Sequence, residues 1–177
     1  MKTTLLLLAL VIPCNSGELP DTGQTLSYTA TFGEDHDYQP AATQPSYTDN
    51  GNGTITDNRT TLMWVKDGNS PGCNNGVALT WEQALSFCEG LSYAGYSDWR
   101  LPNIRELGSI INDGASNPTI NTSYFTNTKT GGVGQYWTST TQVADPTVAW
   151  QINFYNGGVS GSYKTTSFNV RCVRAGP

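Results

Sequence analysis

The chain has 177 residues, a net charge of −5 and only 13% charged residues, with Gly, Thr, Ser and Asn in abundance. That length holds one ordinary domain and a leader. Nine Lys and Arg in an acidic chain argue against nucleic acid, which needs clustered cations to neutralise phosphates. The composition suits a loop-rich, strand-rich extracellular domain better than a cytosolic enzyme.

Residues 1–16 read as an export signal. Lys2 supplies the positive start, Leu5 to Ile12 the apolar run, and Pro13 ends it. The run is too short to span a bilayer. Cleavage after Ser16 is the favoured reading, with acylation of Cys14 as the alternative. Both place the remainder in an oxidising compartment, secreted or at the cell surface.

Residues 17–45 read as an extended segment or linker, polar and broken by Pro20, Pro40 and Pro45. Within it, Leu26, Tyr28, Ala30 and Phe32 fall at every second position from Thr25 to Phe32, the pattern of a strand with one covered face. Such a strand has two destinations: its own domain, or the sheet edge of a neighbouring copy.

The compact domain is expected over residues 46–175. Thr48 to Asp57 reads as two short strands joined by an Asn-Gly turn, and Leu62 to Lys66 as a third. Oxygen ligands at short spacing between Asp49 and Asp57 also suggest a calcium loop, but the glutamate of an EF-hand is missing, and the hairpin is preferred. No cofactor is therefore expected, calcium being the one alternative. Thr80 and Gln83 form a capping box ahead of a helix whose inner face carries Trp81, Ala84, Leu85, Cys88 and Leu91. Trp99 and Leu101 alternate with Asp98 and Arg100 as on a strand, which Pro102 must end. Asn103 and Glu106 then cap a second helix, with Ile104, Leu107, Ile110 and Ile111 turned inward. Residues 115–134 are a long Asn/Thr/Gly-rich loop, a length usual for binding loops or for disordered segments. The last third returns to strands: Tyr136 to Thr138, Val148 to Phe154, a weaker one to Lys164, and Phe168 to Val173. Two helices followed by an antiparallel sheet make an α+β domain.

Cys88 on the inner helix face and Cys172 on the inner face of the last strand are expected to be bridged, closing a loop of about 85 residues worth about 4 kcal/mol. Cys73 is then left over and suggests a bridge to Cys14 or to another chain. The cysteines are too scattered for zinc.

The ordered set Thr48–Asn58, Leu62-Met63-Trp64, the helix from Thr80 to Leu91, Gly95 to Asn103 with Glu106-Leu107, Tyr136 to Thr140 and Val170 to Arg174 closely resembles the C-terminal domain of the Legionella collagen-like protein, over about residues 46–175. The resemblance implies a C-type-lectin-like fold, with two helices packed on a twisted antiparallel sheet and a bridge from a helix cysteine to the final strand. It also implies an exported bacterial protein, one relative being an adhesin for sulfated glycosaminoglycans. This chain departs from that adhesin in being acidic.

Candidate binding residues are sought among aromatics with convergent amides, the groups that hold sugars. Tyr155, Asn156 and Tyr163, with Asn153 and Lys164, are the surface candidates, while Trp137 and Trp150 are assigned to the core. Arg100 reads as a structural ion-pair or backbone-binding residue at the corner, with a catalytic pairing to Glu106 as the alternative. Arg171 with Lys164 reads as a solvated strand face, with an anionic ligand as the alternative. His36 is the only histidine and lies outside the core, so no Ser-His-Asp triad is available and enzymatic activity is not expected. The leading expectation is an adhesin-like module recognising a glycan or surface partner. The alternative is a fibre subunit assembled through residues 25–32.

Overall fold

The computed structural model describes residues 22–38 and 46–176. The export signal and Cys14 lie outside them. The protein is α+β, with two antiparallel sheets. Strands β1 (Tyr47–Asp49), β2 (Thr54–Asp57), β3 (Met63–Val65) and β7 (Val173–Arg174) lie in the order β1-β2-β3-β7. Strands β4 (Gln135–Thr141), β5 (Val148–Asn153) and β6 (Gly158–Tyr163) form the second sheet in chain order. The helices are α1 (Asp35–Tyr38), α2 (Trp81–Glu89) and α3 (Ile104–Gly108). No helix among the described residues is long and apolar enough to cross a membrane.

The strands sort side chains between two hydrophobic clusters, because successive residues point to opposite faces. On β3, Met63 and Val65 enter one cluster and Trp64 the other. On β4, Trp137 and Tyr136 divide the same way, as do Cys172 and Val173. Helix α2 contributes Ala84 and Cys88 to the first cluster, with Leu91 just beyond its end. Helix α3 contributes Leu107, followed by Ile110, to the second. Strand β5 is covered on both faces for the same reason. Its alternating Val148, Ile152 and Phe154 are buried, and so are Ala149 and Gln151, while Trp150 is half-buried.

Both helix starts follow the capping logic. The Gln83 side chain accepts from the Thr80 N–H at 3.0 Å. Asn103 Oδ1 accepts from the N–H groups of Arg105 and Glu106 at 2.9 Å each, and Glu106 Oε2 accepts in return from the Asn103 N–H at 2.9 Å. Helix α3 is nonetheless short, ending before Ile110.

Three expected strands are not regular strands. From Phe168 to Val173, isolated bridges at Phe168 and Asn169 precede the two-residue β7. Around Arg100 a single antiparallel bridge to Val173 replaces a ladder, although Trp99 and Leu101 are buried as their alternation requires. Residues 25–32 form bends, and Leu26, Tyr28 and Phe32 are 60%, 76% and 72% exposed. Side chains of the following acidic run hold this segment: Ser27 donates to Asp37 (2.5 Å) and the Tyr28 N–H to Glu34 (3.0 Å). Its start is fixed to the domain by the Asp113 N–H donating to the Thr22 carbonyl at 2.6 Å.

The bridge between Cys88 and Cys172 is present, with Cα atoms 5.6 Å apart. Cys73 is a free, fully buried thiol. Burial pushes its pKa up to about 11, so it is protonated at neutral pH. This corrects the inter-chain expectation for Cys73. Its sulfur faces the cluster around Val65 and Cys172, with no surface for a partner to reach.

Candidate ligand cleft

The proposed sugar contacts do not converge. Tyr155 and Asn156 lie on the turn between β5 and β6, next to Asn153 at the end of β5, whereas Tyr163 and Lys164 lie at the other end of β6. Six strand residues separate the two groups by about 17 Å. The amides are also engaged locally. Asn153 Oδ1 accepts from the Tyr155 N–H (2.9 Å), and Asn156 Oδ1 from the Gly158 N–H (3.0 Å), so both shape the turn. Lys164 lies 3.9 Å above the Trp81 ring and donates to Thr141 Oγ1 at 2.9 Å. These residues make a turn and a strand end, not one site.

Arg171 is corrected more sharply. It is fully buried, with its guanidinium donating to the carbonyls of Val65 (2.5 Å) and Lys66 (2.8 Å) and to Thr128 Oγ1 (2.9 Å). It sews the end of β3 to the loop before β4 and faces neither solvent nor ligand. Arg100 has the expected structural role at the corner, and its partner is Glu106, held bidentately at 2.7 and 2.6 Å. Burial alone would raise the Glu106 carboxyl, but the hydrogen bonds from Arg100 and the Asn103 N–H outweigh it and hold the group below its ordinary range. The Asp49–Asp57 segment is the β1–β2 hairpin, with Gly51 and Gly53 at positive φ in its turn. Among the described residues, no three His, Cys, Asp or Glu side chains are grouped to hold a metal ion.

A different place gathers ligand-type groups. Residues Gly76 and Ala78, the loop from Lys129 to Gln135, and the run Ser167–Asn169 enclose a cleft of about 320 Å³. One wall is Phe168, fixed by reciprocal backbone hydrogen bonds with Leu79 (2.8 and 2.9 Å) and packed 4.7 Å from Trp137. Buried Asn169 holds the opposite wall, donating from Nδ2 to the carbonyls of Val133 (2.6 Å) and Gln135 (2.9 Å). The Lys129 N–H donates to the Tyr136 hydroxyl at 2.7 Å, and its ammonium donates to Asn69 Oδ1 at 2.8 Å. Gly76 makes that last contact feasible. It sits at φ +72°, and a Cβ there would lie 2.7 Å from Asn69 Oδ1 and 3.1 Å from Lys129 Nζ. The lining carries one cation and no carboxylate in a chain whose net charge is −5.

The long loop over 115–134 supplies three of the nine residues lining this cleft, Lys129, Gly132 and Val133. Lys129 is the only cation in that loop, a signal that was there to read. Phe168 and Asn169 read in the sequence as strand residues, and nothing in their spacing brings them to Lys129.

The model of the Lcl C-terminal domain matches residues 53–174. The chain belongs to the Lcl C-terminal domain family. That match spans all seven strands except β1, together with the bridged cysteines and every residue lining the cleft. Membership points to a surface or extracellular module. No curated protein matches the chain.

Proposed function

We propose that this Lcl C-terminal domain is a non-enzymatic binding module, displayed outside the cell, that recognises a glycan through the cleft between Lys129 and Phe168. The carrying observation is the lining: an aromatic wall, amide and hydroxyl groups from Gln135 and Ser167, and a lone ammonium with no competing carboxylate. An aromatic face packs against the C–H surface of a sugar while the polar groups take its hydroxyls. A volume near 320 Å³ suits one sugar residue at a chain end. The cation favours a sugar bearing an acidic substituent. A C-type-lectin-like scaffold is part of the same reading, supported by the bridge from α2 to the chain's last strand region. Calcium dependence is an arm of the test.

A glycan array probed with the wild-type protein, with and without calcium, tests the reading. Lys129→Ala and Phe168→Ala should each weaken the best ligand by about tenfold or more, roughly 1.4 kcal/mol. Tyr155→Ala, outside the cleft, should leave it unchanged. An array blank under both conditions would remove the proposal.

A further inference from the structure

Strand β6 ends its sheet in a way the other edges do not. Strand β1 is three residues long, and its Asp49 is paired with Lys66. Strand β7 has two residues, with Arg100 bridged onto Val173. The outer side of β4 is covered by Asn169, which exchanges backbone hydrogen bonds with Gln135 and Trp137. Against β6, six residues long, no further strand is paired among the described residues. It contains no charge and no proline, and it matches β5 residue for residue from Gly158 to Tyr163 without a bulge. Each of those devices normally protects a free edge.

The exposed face of β6 is apolar in strips. Val159 and Tyr163 are 51% and 64% exposed and share a face with half-buried Trp150, opposite which stands Gly161. At Gly161 the side-chain position is filled by neighbours, a Cβ there lying 2.8 Å from Val148 Cγ1, so an added strand meets Val159 and Tyr163 on either side of a low, apolar saddle. The chain carries a segment of matching character. Residues 25–32 are eight long, uncharged and free of proline and glycine, with Leu26, Tyr28, Ala30 and Phe32 on one face of an extended chain. Their own domain leaves Leu26, Tyr28 and Phe32 largely uncovered. The contacts that hold the segment bent, from Ser27, Tyr28 and Gly33 to Glu34 and Asp37, are solvent-exposed hydrogen bonds, which contribute little net stability.

We propose that the free edge of β6 receives residues 25–32 of a second copy of this chain, which extend the sheet and lay their apolar face over Val159, Trp150 and Tyr163. Donor and acceptor are different surfaces, so the contact is head-to-tail and propagates into a filament unless it closes into a ring. The glycan cleft is built from other residues and stays open in each subunit.

The test uses the full mature protein and two variants at exposed positions. Tyr28→Lys/Phe32→Lys disables the donor, and Val159→Lys/Tyr163→Lys disables the acceptor. Wild type should show concentration-dependent oligomers by sedimentation velocity, extending to filaments under the electron microscope. Each variant alone should sediment as a monomer with an unchanged melting temperature. An equimolar mixture should stop at the dimer, because one variant retains the donor and the other the acceptor. A wild type that stays monomeric at every concentration overturns the proposal. So does assembly that survives the acceptor substitutions, or β6 amides already protected from hydrogen exchange in an isolated monomer. Glycan binding by the monomeric variants is read separately, so the two proposals fail independently.

Discussion

Arg171 is the most consequential single side chain in the domain. A guanidinium taken wholly out of water is costly to bury, and no carboxylate pairs with it among the described residues. Carbonyls compensate instead, two from consecutive residues at the end of β3, with the Thr128 hydroxyl and the face of Phe125 beside them, while Nε stays buried without a hydrogen-bond partner. Arg171→Met would fill similar space but leave the buried Val65 carbonyl and the part-buried Lys66 carbonyl without this donor, a buried one costing about 1–3 kcal/mol. The expected loss is about 3 kcal/mol, a fall in melting temperature of about 10 °C by calorimetry. Arg171→Lys should recover only part of it, because one ammonium cannot reproduce the planar fork. A melting temperature within 2 °C or so of wild type for the Met variant would mean that these contacts are replaceable.

Among the elements, α3 shows how a short helix is stabilised from outside itself. Five residues cannot sustain a helix by propensity. Asn103 satisfies two free N–H groups at its start, and Glu106 reaches back to the Asn103 N–H while also gripping Arg100. Because Glu106 has a lowered pKa in the fold, its contribution is fully present above the unfolded carboxyl value near 4.3 and is lost as pH falls through the folded value. Glu106→Gln should therefore lower the melting temperature by a few degrees at pH 7, with the two proteins converging towards pH 2. A gap that stays constant across that range would show that the charge is irrelevant. This helix was legible from four letters, Asn103 to Glu106, because capping is a local transaction between neighbours. The same holds for α2 and the β1–β2 turn. Strand-like alternation was a poorer guide. At Trp99 and Leu101 it reported burial correctly without a ladder, and at Leu26 to Phe32 it reported a pattern that the described chain leaves uncovered. On β5 the apolar alternation was real, but the facing residues Ala149 and Gln151 are buried too, because a strand between two clusters has no wet side. The candidate cleft was the least readable, since Lys129, Phe168 and Gly76 meet only through long-range packing. Arg171 misled for the same reason: a cation near a strand end looks solvated until the loop that covers it is placed.

For the whole molecule, the Cys88–Cys172 bridge spans a sequence separation of 84 and fastens α2 to the approach to β7. In the chain-entropy picture a loop of that size contributes about 4 kcal/mol by restricting the unfolded chain. Replacing both cysteines with Ala should lower the urea midpoint by a corresponding amount, with the slope of the transition rising as the unfolded chain expands. An unchanged midpoint would mean that packing alone holds α2 in place.

The placement of β7 carries a further consequence. Val173 pairs with Trp64 on one side and exchanges hydrogen bonds of 2.9 Å with Arg100 on the other, while Arg171 and Cys172 close contacts to residues far upstream. The seam is sewn by residues 171–174, downstream of every segment they fasten. A nascent polypeptide that has not yet delivered them leaves Trp64, Val65 and Cys88 without their partners, so the native domain cannot close before residue 174 has been made. Any ribosome-stalled chain ending before residue 171 should accordingly be digested by protease as readily as an unstructured one.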